Sequence, residues 1–240
     1  MKEGEILKLY ADASYFEGSN GLSEGYSDYA AQEMSLRRTF RRFLHALDQR
    51  GMTGGDLLEV GCGYGYLLAE ARSFFRKLVA TDYSPGALER AAAHADETWR
   101  GGMDALPRDA RFDCIIASEV IEHVYHPNEF VREAVSRLRP GGWLVLAAPD
   151  MGSWWRRLLG HRWPSFKIPE HVTYYDRDTM RLLLERNGLT GVEGVRFLHN
   201  FPLGVICEKL GLGAPRALAG KGVWLPDVVL AMAGRKEMTA

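Results

Sequence analysis

Leu57-Leu58-Glu59-Val60-Gly61-Cys62-Gly63-Tyr64-Gly65-Tyr66 is an apolar strand that runs into three glycines spaced by two, with a carboxylate just ahead of the first. Glycine tolerates positive φ and lets bare backbone approach a ligand closely. The following Leu67-Leu68-Ala69-Glu70-Ala71 reads as a helix whose first amides can hold an anion. Asp82 lies 21 residues beyond Gly61 and closes a second apolar run, Leu78-Val79-Ala80-Thr81. A carboxylate at that distance is where a ribose diol is gripped, so the unit reads as a nucleoside-binding strand, loop, helix and strand.

Outward from this unit, short apolar runs alternate with helical stretches from Asp56 onward, the pattern of β-α units around a parallel sheet. Strands are expected near 57–60, 78–81, 112–117 and 143–148, with an indistinct one around Thr98 to Arg100. Helices are expected near 65–74, 85–94 and 127–138, and Pro140-Gly141-Gly142 reads as a turn into the fourth clear strand. Arg177 to Arg186 reads as a helix stopped at Asn187-Gly188, and two final strands are expected near 192–198 and 227–233. Ahead of the core, residues 26–50 space Tyr29, Met34, Leu36, Phe40, Phe43, Leu44 and Leu47 as one face of an amphipathic helix, with Arg37, Arg38, Arg41 and Arg42 as its solvated face. Residues 1–50 are therefore read as an N-terminal helical cover and flap, and 51–240 as the core, with 151–175 as a lid on the acceptor side.

The chain of 240 residues is 46% hydrophobic and 25% charged, enough for one good core. Its formal net charge of −1 gives no footprint for nucleic acid, and no apolar run is long enough to span a membrane. The polar opening Met1-Lys2-Glu3-Gly4-Glu5 does not read as a secretory signal, so the cytoplasm is expected. Cys62, Cys114 and Cys207 make no CxxC pair and read as free thiols. No base is evident for Cys62, which reads as a small residue fitted into the glycine loop rather than a nucleophile.

A dinucleotide fingerprint would need a third small residue where Tyr66 stands. The spacing here is GxGxG with Glu59 beside it, a carboxylate able to meet an ammonium group directly or through water. Leu57 to Leu68 resembles the first motif of the class I S-adenosylmethionine-dependent methyltransferases, and Ala80-Thr81-Asp82-Tyr83-Ser84 resembles their second. Gly102-Met103-Asp104-Ala105-Leu106-Pro107, Phe112 to Val124 and Leu138-Arg139-Pro140-Gly141-Gly142 follow in the family's order. The resemblance covers roughly residues 26–235 and is nearest to the branch with the ubiquinone-biosynthesis O-methyltransferases and bacterial enzymes acting on small molecules and glycans.

The resemblance implies a Rossmann-like α/β fold: a seven-stranded, mostly parallel sheet with helices on both faces, the N-terminal helical cover, and an insertion after strand 5. It also implies that Asp82 accepts both ribose hydroxyls, that Tyr83 flanks the adenine, and that Asp104 meets the adenine amine. The backbone of Gly61 and Gly63 would line the methionine portion, Glu59 would order the loop, and Cys62, Met103, Ala105 and Ser118 complete the expected donor-binding set. The implied cofactor is S-adenosylmethionine, leaving S-adenosylhomocysteine.

Methyl transfer from a sulfonium needs alignment and exclusion of water, and from a hydroxyl it also needs a proton acceptor. His171, in Pro169-Glu170-His171-Val172-Thr173-Tyr174-Tyr175-Asp176, is the first candidate base and His123 the second. On a helical turn Glu119, Glu122 and His123 would share a face, and the ubiquinone branch has a comparable pattern linked to metal; a divalent ion is nonetheless not the favoured reading. Trp154, Trp155, Trp163, Tyr174 and Tyr175 are read as a lid or acceptor wall, and Tyr10, Tyr15, Phe16 and Tyr26 with intervening glycines as a flap over the cofactor. The expected partner is a small-molecule acceptor methylated at oxygen. The alternatives are N- or C-methylation of a natural product or glycan precursor, a non-catalytic cofactor- or partner-binding protein, and a nicotinamide-dependent oxidoreductase. Whether the chain forms a homodimer stays open.

Overall fold

In the computed structural model, which describes residues 29–203 and 221–238, β1 (Asp56–Val60) is buried at every position, as an interior parallel strand covered on both faces must be. Leu57 faces one half of the core with Leu44, Leu67 and Val145. Leu58 faces the other with Ile115, Leu144 and Met180. The two-residue period of the strand thus divides one apolar run between two helical layers.

The elements follow in β-α order. Ahead of β1 lies α1 (Glu33–Asp48); after it come α2 (Tyr66–Ala71), β2 (Lys77–Asp82), α3 (Pro85–Ala91) and β3 (Glu97–Arg100). Then come β4 (Phe112–Ser118), α4 (Pro127–Arg137), β5 (Leu138–Pro149), α5 (Trp154–Leu159) and α6 (Arg177–Arg186), followed by β6 (Leu189–Val195), β7 (His199–Pro202), β8 (Gly222–Leu225) and β9 (Val229–Lys236). The sheet runs β3-β2-β1-β4-β5-β9-β6, and only β9 is antiparallel to its neighbours. The chain winds outward from β1 to β3 and then returns to place β4 on the other side of β1. That reversal opens a crevice at the carboxyl ends of β1 and β4, where ligands bind in open α/β sheets.

Local chemistry sets several boundaries. Ser84 caps α3 by accepting from the Ala87 amide, with Pro85 supplying the first helical φ. Asp176 and Thr179 form a reciprocal capping box that starts α6. The expected strands and helices are present, with α2 and α3 each ending three residues early. Pro140 to Gly142 lies inside β5 as an irregularity, since the register with β4 shifts between Phe112 and Cys114. The last two sheet strands sit at 189–195 and 229–236 rather than 192–198 and 227–233, because beyond Val195 the chain leaves the sheet and buries Phe197 against Phe43, their centroids 4.6 Å apart. The small β7–β8 sheet was not anticipated; the Asn200 amide at its start donates to the Thr39 hydroxyl of α1 at 2.8 Å.

The arginines of α1 are not simply a solvated face. Arg37 and Arg41 both close on the buried carboxylate of Glu70 in α2, at 2.7 and 2.6 Å. Burial alone raises the Glu70 carboxyl, but the two guanidiniums outweigh it and leave the group below its ordinary range. A carboxylate depressed in the fold stabilises above its unfolded pKa, and that contribution is lost as pH falls through the folded one. Glu70→Ala is expected to destabilise the chain by about 1–3 kcal/mol at neutral pH, read by urea denaturation, with the difference from wild type vanishing in acid.

Candidate functional site

The glycine loop hangs from the end of β2. The amides of Gly61 and Cys62 donate to the Thr81 carbonyl at 2.8 and 3.1 Å. The Gly63 amide donates to Asp82 Oδ2 at 2.8 Å, and the Ser84 amide to Asp82 Oδ1 at 2.9 Å. Asp82 is thereby fixed between the first and second turns. Burial pushes its carboxyl up, and amides of Ser84, Gly63 and Tyr83 oppose that.

Glycine is obligatory in this loop for two reasons. Gly61, Gly63 and Gly65 all have left-handed φ, between 51° and 76°. A Cβ on Gly61 would lie 2.5 Å from Val120 Cγ2, and one on Gly65 2.9 Å from Ala91 Cα, so the loop is wedged between the β4 exit and α3. Cys62 is buried and its thiol held well above the usual range by burial and by Glu59 and Asp82, which agrees with its reading as an inert small residue.

Glu59 points into the same region with Oε2 buried and unpartnered among the described residues. Burial and then Asp82 raise its carboxyl well above the ordinary range. The hydrogen bonds that order the loop come from Thr81 and Asp82 instead. An orphaned acid beside open backbone fits the ammonium end of an amino-acid-bearing ligand. At the other end, a Cβ on Gly102 would lie 2.9 Å from Asp104 Oδ1 and 3.1 Å from the Tyr83 hydroxyl, so these two side chains are brought together over Gly102. Met103 is buried, Ala105 follows in the same 3-10 turn, and Ser118 ends β4 with an unpartnered buried hydroxyl. Tyr29, read from the sequence only as part of the cover helix, stacks on Tyr66 at 5.2 Å and meets Tyr64 edge-on at 5.1 Å. Its hydroxyl lies 3.3 Å from where a Gly63 Cβ would be. The expected flap of Tyr10, Tyr15, Phe16 and Tyr26 lies outside the described residues.

Beyond β4 a second cluster assembles. Glu119 has φ +56°, a strained value for a non-glycine residue, and stands outside the short 3-10 turn Ile121–His123. The helical face expected for Glu119, Glu122 and His123 therefore does not form. The third partner is His171, and ligand atoms of Glu122, His123 and His171 lie within 4.8 Å of one another. The insertion is tied down here: Val172 and Thr173 amides donate to the Glu122 carbonyl at 2.8 and 3.1 Å. His123 Nδ1 is 3.0 Å from the Glu170 carbonyl, so it carries the proton and leaves the Nε2 lone pair toward Glu122 Oε1, 4.0 Å away. The His123 and His171 rings meet edge-on at 4.7 Å.

Both Glu122 oxygens and His171 Nδ1 are buried and unpartnered among the described residues. Burial holds His123 down at about 4 and, with His123 beside it, His171 at about 3, so both rings are neutral near pH 7. Glu119 is pushed up to about 7 by burial, and Glu122 higher than its ordinary range by burial and then by Glu119. Two carboxyls and two imidazoles thus share one dry space in which both rings are neutral and Glu122 favours its protonated form. A buried, unsatisfied set of this composition is built to receive a polar acceptor group or a divalent ion.

The five aromatics expected to form a wall do not act together. Trp163 and Tyr175 are buried, Trp155 donates its indole N–H to the Pro226 carbonyl, and Trp154 faces outward. Tyr174 flanks the cluster, 6.0 Å from the His171 ring, and both Tyr174 and Tyr175 have their hydroxyls raised by burial and by Glu122.

A family model described as a methyltransferase domain matches residues 31–193. The chain is 25% identical over 173 residues to a ubiquinone biosynthesis O-methyltransferase of Bradyrhizobium diazoefficiens, covering 63% of this chain and 67% of that protein. It is 30% identical over 187 residues to a malonyl-[acyl-carrier protein] O-methyltransferase of Hahella chejuensis, covering 69% and 65%. Across several curated relatives the chain spans 50% to 67% of their length. Among solved structures, magnesium protoporphyrin IX methyltransferase of Synechocystis with bound S-adenosylhomocysteine aligns at a TM-score of 0.64, covering 98% of this chain and 100% of that one at 12% identity, a likeness of fold alone. With the matched domain spanning the glycine loop, Asp82, Asp104 and the β4 exit, the chain belongs to the methyltransferase-domain family, of the class I S-adenosylmethionine-dependent kind.

Proposed function

We propose that the chain methylates a hydroxyl oxygen of a small-molecule acceptor, with His171 as general base. The observation that carries this reading is the unpartnered Nδ1 of a buried, neutral His171, backed by Glu122 and facing the space into which Tyr174 also points. Two relatives named as O-methyltransferases support oxygen as the target atom.

S-Adenosylmethionine supplies a methyl group on a sulfonium whose departure leaves a neutral thioether. The chain's own work is placement. Asp82 holds the ribose hydroxyls, Tyr83 and Asp104 hold the base, and Glu59 holds the ammonium group, so that the methyl faces the cluster beyond β4. As the acceptor oxygen bonds to the methyl carbon, the S–C bond breaks and the hydroxyl proton passes to His171 Nδ1. An imidazole with so low a proton affinity does not retain it: the Glu119 carboxyl, pushed up to about 7 and so partly ionised near neutral pH, draws it onward. His123, held by the Glu170 carbonyl, packs edge-on against the His171 ring and so orients it.

A second reading is favoured by the same convergence. Glu122, His123 and His171 present one oxygen and two nitrogens in reach of one ion, a donor set suited to a borderline divalent metal, which would lower the pKa of the acceptor hydroxyl as a Lewis acid.

His171→Ala is expected to lower kcat by about a hundredfold or more while S-adenosylhomocysteine affinity stays within a few-fold. If the base reading holds, dialysis against a chelator leaves turnover intact; loss restored by a divalent ion selects the metal. Unchanged kcat in His171→Ala removes both. Glu59 sets a separate expectation: its carboxyl is raised in the free protein, while an ammonium group beside it favours the ionised form. S-Adenosylhomocysteine should therefore bind more tightly as pH rises, releasing a proton, until Glu59 ionises without ligand. Calorimetry of Glu59→Gln should show weaker binding by about tenfold and a flat pH dependence in that range.

A further inference from the structure

Away from the donor crevice a second cleft opens at the carboxyl ends of β5 and β6, with a volume of about 440 Å³. Small-molecule sites run from roughly 300 to 1,000 Å³. The strand order β5-β9-β6 sets its shape. Pro149 pairs with Val229 and Val195 with Ala231, so the residues that follow, Asp150 and Arg196, stand on opposite sides of β9. Two strand spacings, roughly 10 Å, separate their backbones. Between them β9 supplies an apolar floor, Val229 to Ala231, all buried. None of the residues placed at the donor site or in the acceptor cluster lines this cleft.

The two ends carry opposite charge. On the β6 side stand Arg50, Arg177 and Arg196. Arg50 is anchored, its Nη1 donating to the Ala46 carbonyl at 2.9 Å with Nε 3.7 Å from Glu193. Arg177 is seated on Gly194, where a Cβ would lie 2.8 Å from its Nη1 and 3.4 Å from its Cζ. Gly194 has no left-handed φ, so the room it leaves for the guanidinium is what the missing side chain provides. Neither Arg177 nor Arg196 closes a hydrogen bond or salt bridge from its side chain among the described residues. On the β5 side stand Asp150 and Asp227. Asp150 Oδ1 accepts from the Gly152 amide at 2.8 Å, and the Asp150 amide donates to the Val228 carbonyl at 3.1 Å. Burial raises the Asp150 carboxyl, the Gly152 amide and Arg177 oppose that, and Asp227 and Asp176 add to it. Arg177 and Asp150 thus act on each other through space, yet each is tethered to its own side.

We infer that this cleft is a second small-molecule site, for a zwitterion whose carboxylate or phosphate group meets Arg177 and Arg196 and whose ammonium group meets Asp150 and Asp227. A simple anion would leave the two carboxylates facing the cleft without a cation, and a simple amine would leave the guanidiniums without an anion. A short chain between the two ends lies on the apolar floor of β9. Guanidiniums bind carboxylate and phosphate alike through paired N–H groups, so the anion is fixed by experiment. The site stands without the methyl-transfer reading, because binding alone reads it. It adjoins the acceptor cluster through the chain: the Met151 amide donates to the Tyr175 carbonyl at 2.8 Å, and Asp150 bridges to Tyr175, one residue beyond Tyr174 and two before Arg177.

The test is calorimetric titration of the full chain, with saturating S-adenosylhomocysteine present so that the donor site is occupied. The probes are 3-aminopropylphosphonate and 4-aminobutyrate, against propylphosphonate, butyrate and propylamine, which carry one charge each. At least one zwitterion is expected to bind about tenfold or more tightly than either of its halves, and the tighter of the two names the anion. Arg177→Gln with Arg196→Gln should weaken it by about tenfold or more. Asp150→Asn keeps an oxygen for the Gly152 amide and removes only the charge, so it should bring the zwitterion down to the affinity of its anionic half. S-Adenosylhomocysteine binding unchanged in every variant shows that the fold and the donor site persist. The proposal is overturned if neither zwitterion binds more tightly than its halves, if S-adenosylhomocysteine displaces it, or if both sets of variants bind it as the wild type does.

Discussion

The carboxylate of Asp82 is the joint on which the donor site depends. It accepts from the Gly63 amide across the crevice and from the Ser84 amide of its own turn, so one side chain ties the first loop to the second. Without it the three left-handed glycines would have no fixed partner on β2 beyond the Thr81 carbonyl. The same bonds keep two acids, Asp82 and Glu59, in one buried region, which is unfavourable unless a cation or a set of donors arrives.

The topology explains why the acceptor cluster stands next to this joint. Because β4 returns beside β1, Val120 at its exit presses against Gly61, and Glu119, Glu122 and His123 follow within a few residues. The insertion then contributes His171, fastened by amides of Val172 and Thr173 on the Glu122 carbonyl. Donor loop, acceptor cluster and insertion are therefore mechanically continuous. A change in the insertion's seat would be felt at His171 before it was felt at Asp82.

Much of the glycine loop's conformation was legible in the sequence because its constraints are local. The spacing of Gly61, Gly63 and Gly65, the position of Asp82 at a strand end, and the Tyr66 that interrupts a dinucleotide pattern all express rules of backbone conformation and chain reach. The acceptor half was less legible because it is made by contacts remote in sequence. The i, i+3, i+4 reading of Glu119, Glu122 and His123 assumed a helix, whereas the positive φ of Glu119 breaks it and His171 enters from 48 residues beyond His123. Likewise Tyr29 looked like one more core position of an amphipathic helix, and only packing puts it over the glycine loop. The aromatic run 154–175 was read as one surface, but its members divide between core, a backbone hydrogen bond and open solvent.

The central claim is that Asp82 and the loop it holds form the site for an amino-acid-bearing adenosine. The direct measurement is calorimetric binding of S-adenosylhomocysteine and of NADH to wild type and to Asp82→Asn. The account predicts that the wild type binds S-adenosylhomocysteine and prefers it to NADH, and that the substitution weakens it by more than about tenfold. Equal affinity in Asp82→Asn, or tighter binding of NADH by the wild type, would contradict it.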